Sequence, residues 1–271
     1  MFPLESFQKI IWQHYATHRR PFPWRDIINP YHVTVSEIML QQTQTDRVLY
    51  KFEQFICEFP DFQTLATAPF DAVLRAWKGL GYNRRAMALQ KIAQIVVNNH
   101  NGQLPDQPEI LETFPGIGKA TACSITTFAF NKPTMFIETN VRTVFIHFFF
   151  KEQESVHDKE IEPLVIQTVD QLQPREWYYA LMDYGVMLKK TVGNSAQKSK
   201  HYHKQSRFVG SDRQIRGMIL QALLDHTILH ENDFAPLLNK EPKRVAMILD
   251  GLVDERFIEK ADGLTRLCKQ L

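Results

Sequence analysis

Only three cysteines occur in 271 residues, Cys57, Cys123 and Cys268, and they are widely spaced. Such a set supplies neither a disulfide framework nor a metal-ligand cluster, and it reads as reduced thiols of a cytoplasmic chain. Long apolar runs are missing too. The longest, Val141 to Phe150, is interrupted by Arg142 and His147. It falls well short of the roughly 20 residues that span a bilayer. Met1 to Gln13 contain no basic stretch followed by an apolar core, so neither a secretory signal nor a membrane partner is expected. Net charge is almost absent: 32 basic residues against 30 acidic ones leave +2, and composition alone announces no polyanion. What remains is ordinary globular composition, 44% hydrophobic and 23% charged, in a chain long enough for one large or two moderate domains.

Helical periodicity dominates what is present. Between Val33 and Phe59 the apolar positions Val35, Ile38, Met39, Val48, Leu49, Phe52 and Ile56 recur at spacings of three and four, predicting amphipathic helix. Similar patterns run through Phe70 to Ala76, Arg85 to Val97, Pro108 to Thr113 and Ala120 to Phe130. Breakers separate them: Gly79 and Gly81, Gly102 with Pro105, and Pro115 with Gly116 and Gly118. From Lys189 to Arg216 the chain turns basic, with Asp212 the single acid, and Gly193 to Ser206 has a linker's composition. Three short helices follow, Asp212 to Leu224, Asp233 to Leu238 and Pro242 to Asp254. A hairpin, Arg256 to Lys260 with Leu264 to Cys268, then turns at Asp262-Gly263. Three helices and a terminal hairpin are the order of a winged helix.

The strongest chemical signal is the turn Phe114-Pro115-Gly116-Ile117-Gly118-Lys119-Ala120 between two predicted helices. Gly116 and Gly118 allow close backbone approach, and the first amides of the second helix have no internal partners. Those amides, with the charge of Lys119, suit a phosphate, and the pattern fits a helix-hairpin-helix DNA-binding motif. Upstream, Glu37 sits among apolar residues in Ser36-Glu37-Ile38-Met39-Leu40-Gln41-Gln42-Thr43-Gln44. A carboxyl buried there would titrate high and serve as a proton donor near neutral pH, whereas an exposed one would pair at the surface. Downstream, Glu138-Thr139-Asn140-Val141-Arg142 sets an acid beside an amide and a base.

Taken in order, Arg20 to Arg25, Pro30-Tyr31, Ser36 to Gln44, Gly79 to Tyr82, Phe114 to Lys119 and Leu181 to Gly185 resemble the MutY adenine glycosylases over roughly residues 18 to 188. The resemblance implies a mainly α, helix-hairpin-helix DNA glycosylase fold, a six-helix barrel and a second helical lobe with the active site between them. It implies a core over residues 1–190, with the barrel at about 25–135 and the second lobe from the N-terminus and about 136–190. Residues 191–210 would be a basic linker and 211–271 a small winged-helix-like domain. Double-stranded DNA is the expected partner, a flipped base the substrate, and a cytoplasmic, nucleoid-associated monomer of a bacterium or archaeon the expected form. Glu37 matches the general acid. Arg25 matches a base-pocket residue, and Gln41, Gln42, Thr43 and Tyr82 match residues that contact or wedge the duplex. Asn140 matches a residue supporting the catalytic carboxylate, and Gly116, Gly118, Lys119 and Ala120 the backbone-binding hairpin.

Four departures shape the functional expectation. Glu138 stands where the family has aspartate, with Thr139 in place of glycine. A carboxylate retreating from about 4 Å to about 5.5 Å from a cation loses roughly 1 kcal/mol at an effective dielectric of 20, under tenfold in rate. Fitting the extra methylene is the larger threat, at about 1–3 kcal/mol. Ala120 occupies the position of the Schiff-base lysine of bifunctional relatives, so hydrolysis without strand cleavage is expected. The relatives' iron–sulfur cluster needs four cysteines after Met187, and none occurs between Cys123 and Cys268, so no cofactor and no metal is expected. His201 and His203 lie two apart without further ligands. Finally, the C-terminal region is too short for the family's 8-oxoguanine-reading domain. The leading expectation is a monofunctional glycosylase removing adenine mispaired with guanine or 8-oxoguanine. Three alternatives stay open: a thymine or uracil mismatch glycosylase, a non-catalytic lesion-binding protein, and a transcription factor with a decorated winged helix.

Overall fold

The computed structural model describes residues 2–202 and 207–269. His203, Lys204 and the rest of 203–206, part of the expected linker, lie outside the described residues. The first helices are α1 (Leu4–His18), α2 (Pro23–Asp26), α3 (Pro30–Leu40), α4 (Thr45–Glu58), α5 (Phe62–Thr67), α6 (Phe70–Trp77) and α7 (Arg84–Asn99). Next come α8 (Pro108–Leu111), α9 (Lys119–Phe130), α10 (Thr139–Phe149), α11 (Asp158–Thr168) and α12 (Pro174–Thr191). The C-terminal elements are α13 (Asp212–His226), β1 (Ile228–His230), α14 (Phe234–Leu238), α15 (Pro242–Asp254), β2 (Ile258–Ala261) and β3 (Leu264–Leu267). The chain is mainly helical, as the periodicity predicts. No helix among the described residues is long and apolar enough to cross a membrane.

The chain divides into two compact units, Met1–Ile38 with Leu104–Lys204, and Met39–Gln103 with Gln205–Leu271. The core of the first is aromatic. In α1, Phe7, Ile11 and Tyr15 are buried at a spacing of four, placing them on one face. The Phe7 ring meets Phe145 of α10 at 5.2 Å and Trp177 of α12 at 5.9 Å between centroids. Helices α10 and α12 come together at Gly185, where an added Cβ would lie 2.7 Å from both the Cβ and the carbonyl oxygen of Asn140. That approach admits only glycine. Part of the expected linker packs onto this unit: Ala196 is buried, and Val156 bridges Ser199.

In the second unit, one predicted run becomes two helices. The apolar periodicity from Val33 to Phe59 continues unbroken, yet α3 stops at Leu40 and α4 starts at Thr45. Gln42 adopts a left-handed conformation, φ 54°. The Arg85 guanidinium takes the carbonyls of Met39 and Gln41, at 2.8 and 2.6 Å, that a continuing helix would use for its own ladder. The C-terminal elements follow the predicted order closely, and β1 is an addition to it. The strands form an antiparallel sheet in the order β1-β3-β2. Asp262 and Gly263 both have positive φ, 51° and 75°, the two-residue turn that an Asp-Gly pair favours. Phe257 beside this hairpin meets Phe70 of α6 at 5.7 Å.

Gly185→Ala is therefore expected to destabilise the protein by about 1–3 kcal/mol, because the new methyl group must push α10 and α12 apart. Chemical denaturation measures this. An unchanged midpoint would mean that the two backbones have room to separate at no cost.

Candidate active site

Glu37 lies on the last turns of α3 beside Ser124 of α9, whose Oγ is 2.5 Å from Glu37 Oε2 and 3.0 Å from the Thr121 carbonyl oxygen. A hydroxyl has one proton to give. When Glu37 is ionised, Ser124 donates to it. When Glu37 is protonated the acid donates to Ser124, which passes its own proton to Thr121. Both forms are accommodated without moving a heavy atom. Some of the residue's surface stays accessible, but protein surrounds the carboxyl densely. Burial pushes it up to about 7; the Ser124 hydrogen bond opposes the rise, nearby Glu138 adds to it and Arg25 opposes it.

Glu138 is the N-cap of α10. Its Oε1 accepts from the Asn140 and Val141 amides, both at 2.8 Å, and its Oε2 from Asn140 Nδ2 at 3.1 Å. Aspartate is the usual residue for such a cap, and the extra methylene of Glu138 is absorbed by curling the side chain back over the helix start. The other end of the Asn140 amide, Oδ1, accepts from Lys189 Nζ at 2.6 Å.

Arg25 is nearly fully buried and bonds both oxygens of Asp183, at 2.9 and 3.0 Å. Arg20 adds its Nε to Asp183 Oδ1 at 2.6 Å and its amide to Oδ2 at 3.0 Å. Burial raises the Asp183 carboxyl, but the two guanidinia outweigh it and hold it below the usual carboxylate range. The Arg25 guanidinium also lies 4.2 Å from the centroid of the Tyr179 ring and 5.0 Å from that of Phe22. Its two terminal nitrogens are thus committed to Asp183. Its Nε finds no hydrogen-bond partner among the described residues.

The hairpin has its predicted shape. Phe114 and Ile117 are buried and anchor it, while Gly116, Gly118, Lys119 and Ala120 are exposed. Gly116 takes φ 76°, and Gly118 caps α9 with no side-chain bond to the helix. The leading amides of α9 and the Lys119 ammonium consequently face solvent at the positive end of a three-turn helix.

Arg25, Glu37, Gly116, Gly118, Lys119, Ala120, Glu138 and Asn140 all belong to the first unit. Gln41, Gln42, Thr43 and Tyr82 belong to the second, where two loops are fastened by one buried arginine. Besides the Met39 and Gln41 carbonyls, Arg85 donates to Thr43 Oγ1 at 3.0 Å and to the carbonyls of Leu80 and Gly81 at 3.1 and 3.0 Å. Tyr82, at φ 49°, carries its ring against two guanidinia, Arg85 at 5.4 Å and Arg213 of α13 at 5.3 Å. Arg213 also donates to the Tyr82 hydroxyl at 2.5 Å.

Sequence reading missed Ser124, Asp183, Lys189, Arg85 and Arg213. Two left a signal. Arg85 is a charge inside the apolar pattern of α7, and Asp183 sits in the Leu181 to Gly185 stretch without a role attached. Ser124 left none, being 87 residues from the group it bonds, and Lys189 and Arg213 read only as parts of the basic tract.

The donor set does not fit an iron–sulfur cluster. Cys123 lies in the first unit and Cys57 and Cys268 in the second, and three thiols cannot supply four ligands. Among the described residues no three His, Cys, Asp or Glu side chains gather as a metal site.

The family described as "HhH-GPD superfamily base excision DNA repair protein" matches residues 35–165. An adenine DNA glycosylase of Buchnera aphidicola subsp. Baizongia pistaciae is 35% identical over 69% of this chain and 54% of its own length. The chain thus spans about half of that relative. An adenine DNA glycosylase of Mycobacterium tuberculosis is 33% identical over 77% of this chain and 75% of its own. Among solved structures, a thermostable thymine-DNA glycosylase superposes with a TM-score of 0.62 at 24% identity, over 72% of this chain and 91% of that one. That likeness shows the fold.

Arg85→Lys tests the fastening of the two loops, because an ammonium has three donors and no fork to span five acceptors. We expect a loss of about 2–4 kcal/mol from the carbonyls left unpaired. Faster hydrogen exchange should appear at residues 40–44 and 79–83. Unchanged exchange there would contradict the assignment.

Proposed function

This chain belongs to the MutY-type adenine DNA glycosylase family of HhH-GPD base excision DNA repair proteins, and we propose that it hydrolyses the N-glycosidic bond of adenine mispaired with guanine or 8-oxoguanine in double-stranded DNA. The observation that carries this reading is the Glu37 carboxyl, buried beside Ser124 and pushed up to about 7. A group with that midpoint has its proton to give at neutral pH and takes it back readily, the property wanted in a general acid.

The chemistry follows from the residues in hand. Leading amides of α9 and Lys119 hold a backbone phosphate, so that affinity falls with salt. The target base leaves the stack, as any chemistry at its glycosidic bond requires. Glu37 protonates the departing base, and the Glu138 carboxylate, fixed by three N–H donors, stabilises the positive charge that grows on the sugar. Water completes the hydrolysis. Ala120 offers no amine for a Schiff base, and we assign no lyase step. Nor do we assign a resident cofactor, since three cysteines fall short of a cluster's need. A monomer acting in the cytoplasm is part of the same proposal.

Single-turnover assays on duplexes carrying A:8-oxoguanine, A:G, T:G and U:G, with alkali cleavage of abasic products, test it. Adenine release is expected, with a rate that falls as pH rises through about 7 and Glu37 gives up its proton. Glu37→Gln should lower that rate by about 10²–10⁴-fold while duplex binding persists. Release confined to thymine or uracil would overturn the substrate assignment, and an active Gln variant would overturn the acid.

A further inference from the structure

Lys189 is an ionisable side chain of the first unit to which the mechanism above gives no task. It lies on α12 one turn beyond Gly185, the residue whose missing side chain lets α12 approach Asn140. We propose that Lys189 is a positioning residue for Glu138, acting through the side-chain amide of Asn140. The proposal rests on the reading of Glu138 as the carboxylate that faces the sugar cation.

An amide side chain can present either end to a neighbour, and shape alone does not decide which. Chemistry decides here. An ammonium has only donors, so the Asn140 atom 2.6 Å from Lys189 Nζ must be the oxygen. The amide nitrogen is then turned to Glu138 Oε2, 3.1 Å away, and donates to it. Oε1 is fixed independently by two backbone amides at 2.8 Å. Oε2 has this one side-chain bond among the described residues, and one orientation of the amide satisfies both its neighbours, the acceptor Oε2 and the donor Lys189. Without Lys189 the far end of the amide is untethered, so the amide plane can swing and loosen its hold on Oε2. The half-buried ammonium is disfavoured by desolvation, and Glu138 offsets part of that cost. One cation therefore serves the cap, the amide and the carboxylate together.

Lys189→Met and Lys189→Arg, in the full chain, separate positioning from simple packing. Lys189→Met should reduce the single-turnover excision rate about 10- to 100-fold with duplex affinity little changed, the scale expected when a reacting group loses its alignment. Lys189→Arg, also donor-only, should restore most of the rate. Combined with Glu138→Gln, Lys189→Met should add no further loss, because both act on one carboxylate. Equal weakening of binding and rate, or no rescue by Arg, would overturn positioning in favour of a packing role. Borohydride trapping of a covalent DNA adduct by the wild type but not by Lys189→Met would overturn it in favour of an amine nucleophile. The Asn140 side-chain amide gives a readout that does not need excision. In nitrogen-edited NMR the proton it gives to Glu138 should be protected in the wild type and lose protection in Lys189→Met. Should the wild type excise no base, the functional reading fails on its own, and an unchanged Asn140 amide would overturn the Lys189 assignment separately.

Discussion

Withdrawal of one carboxyl group from water organises the first unit. Folding places Glu37 where its ionised form is disfavoured, and the shift from 4.5 to about 7 corresponds to roughly 3 kcal/mol. The folded chain binds that proton more tightly than the unfolded chain does. Stability from this group is therefore present below about pH 4.5 and is lost as pH rises through 7. An acid that keeps its proton near neutral pH is thus held at a cost to the fold. The surroundings make the cost tolerable: Ser124 serves either protonation state, and the nearby Arg25 charge is shared with Asp183 and so draws less on Glu37.

Helix α12 is the second organiser. Asp183 fixes Arg25 and Arg20 against aromatic rings, Gly185 brings the helix against Asn140, and Lys189 reaches the Asn140 amide one turn later. Moving this helix would disturb the arginine pair and the Glu138 cap together. In the second unit a single arginine, Arg85, does comparable work for two loops, and Glu255 ties the C-terminal elements to α7. It bonds Arg84 at 2.6 Å and Arg216 at 2.6 Å. The C-terminal region is not strongly basic, which agrees with a bracing role for α13 at Tyr82.

Much of this was legible in the sequence, for physical reasons. Hairpin residues Phe114 to Lys119 act through local backbone geometry, which glycine and proline encode directly. Asp262-Gly263 likewise encodes its turn. Glu37 was legible as an acid in an apolar setting, but the reason for its perturbation, the dense shell that takes it out of water, is tertiary. The division of Val33 to Phe59 into two helices was illegible because periodicity survives a four-residue break, while the Arg85 guanidinium that sustains the break comes from another helix. Lys189 read as part of a basic tract. Only the fold shows it turned inward to Asn140.

Glu37 must hold its proton at neutral pH to act as an acid, and its protonation can be measured without DNA. Carbon NMR of glutamate side-chain carboxyls, with the Glu37 signal assigned by its loss in Glu37→Gln, follows the group through its titration. A midpoint near 7 is predicted by its burial, which outweighs the opposing hydrogen bond from Ser124. A midpoint near 4.5, the value of an exposed glutamate, would contradict the account at its base.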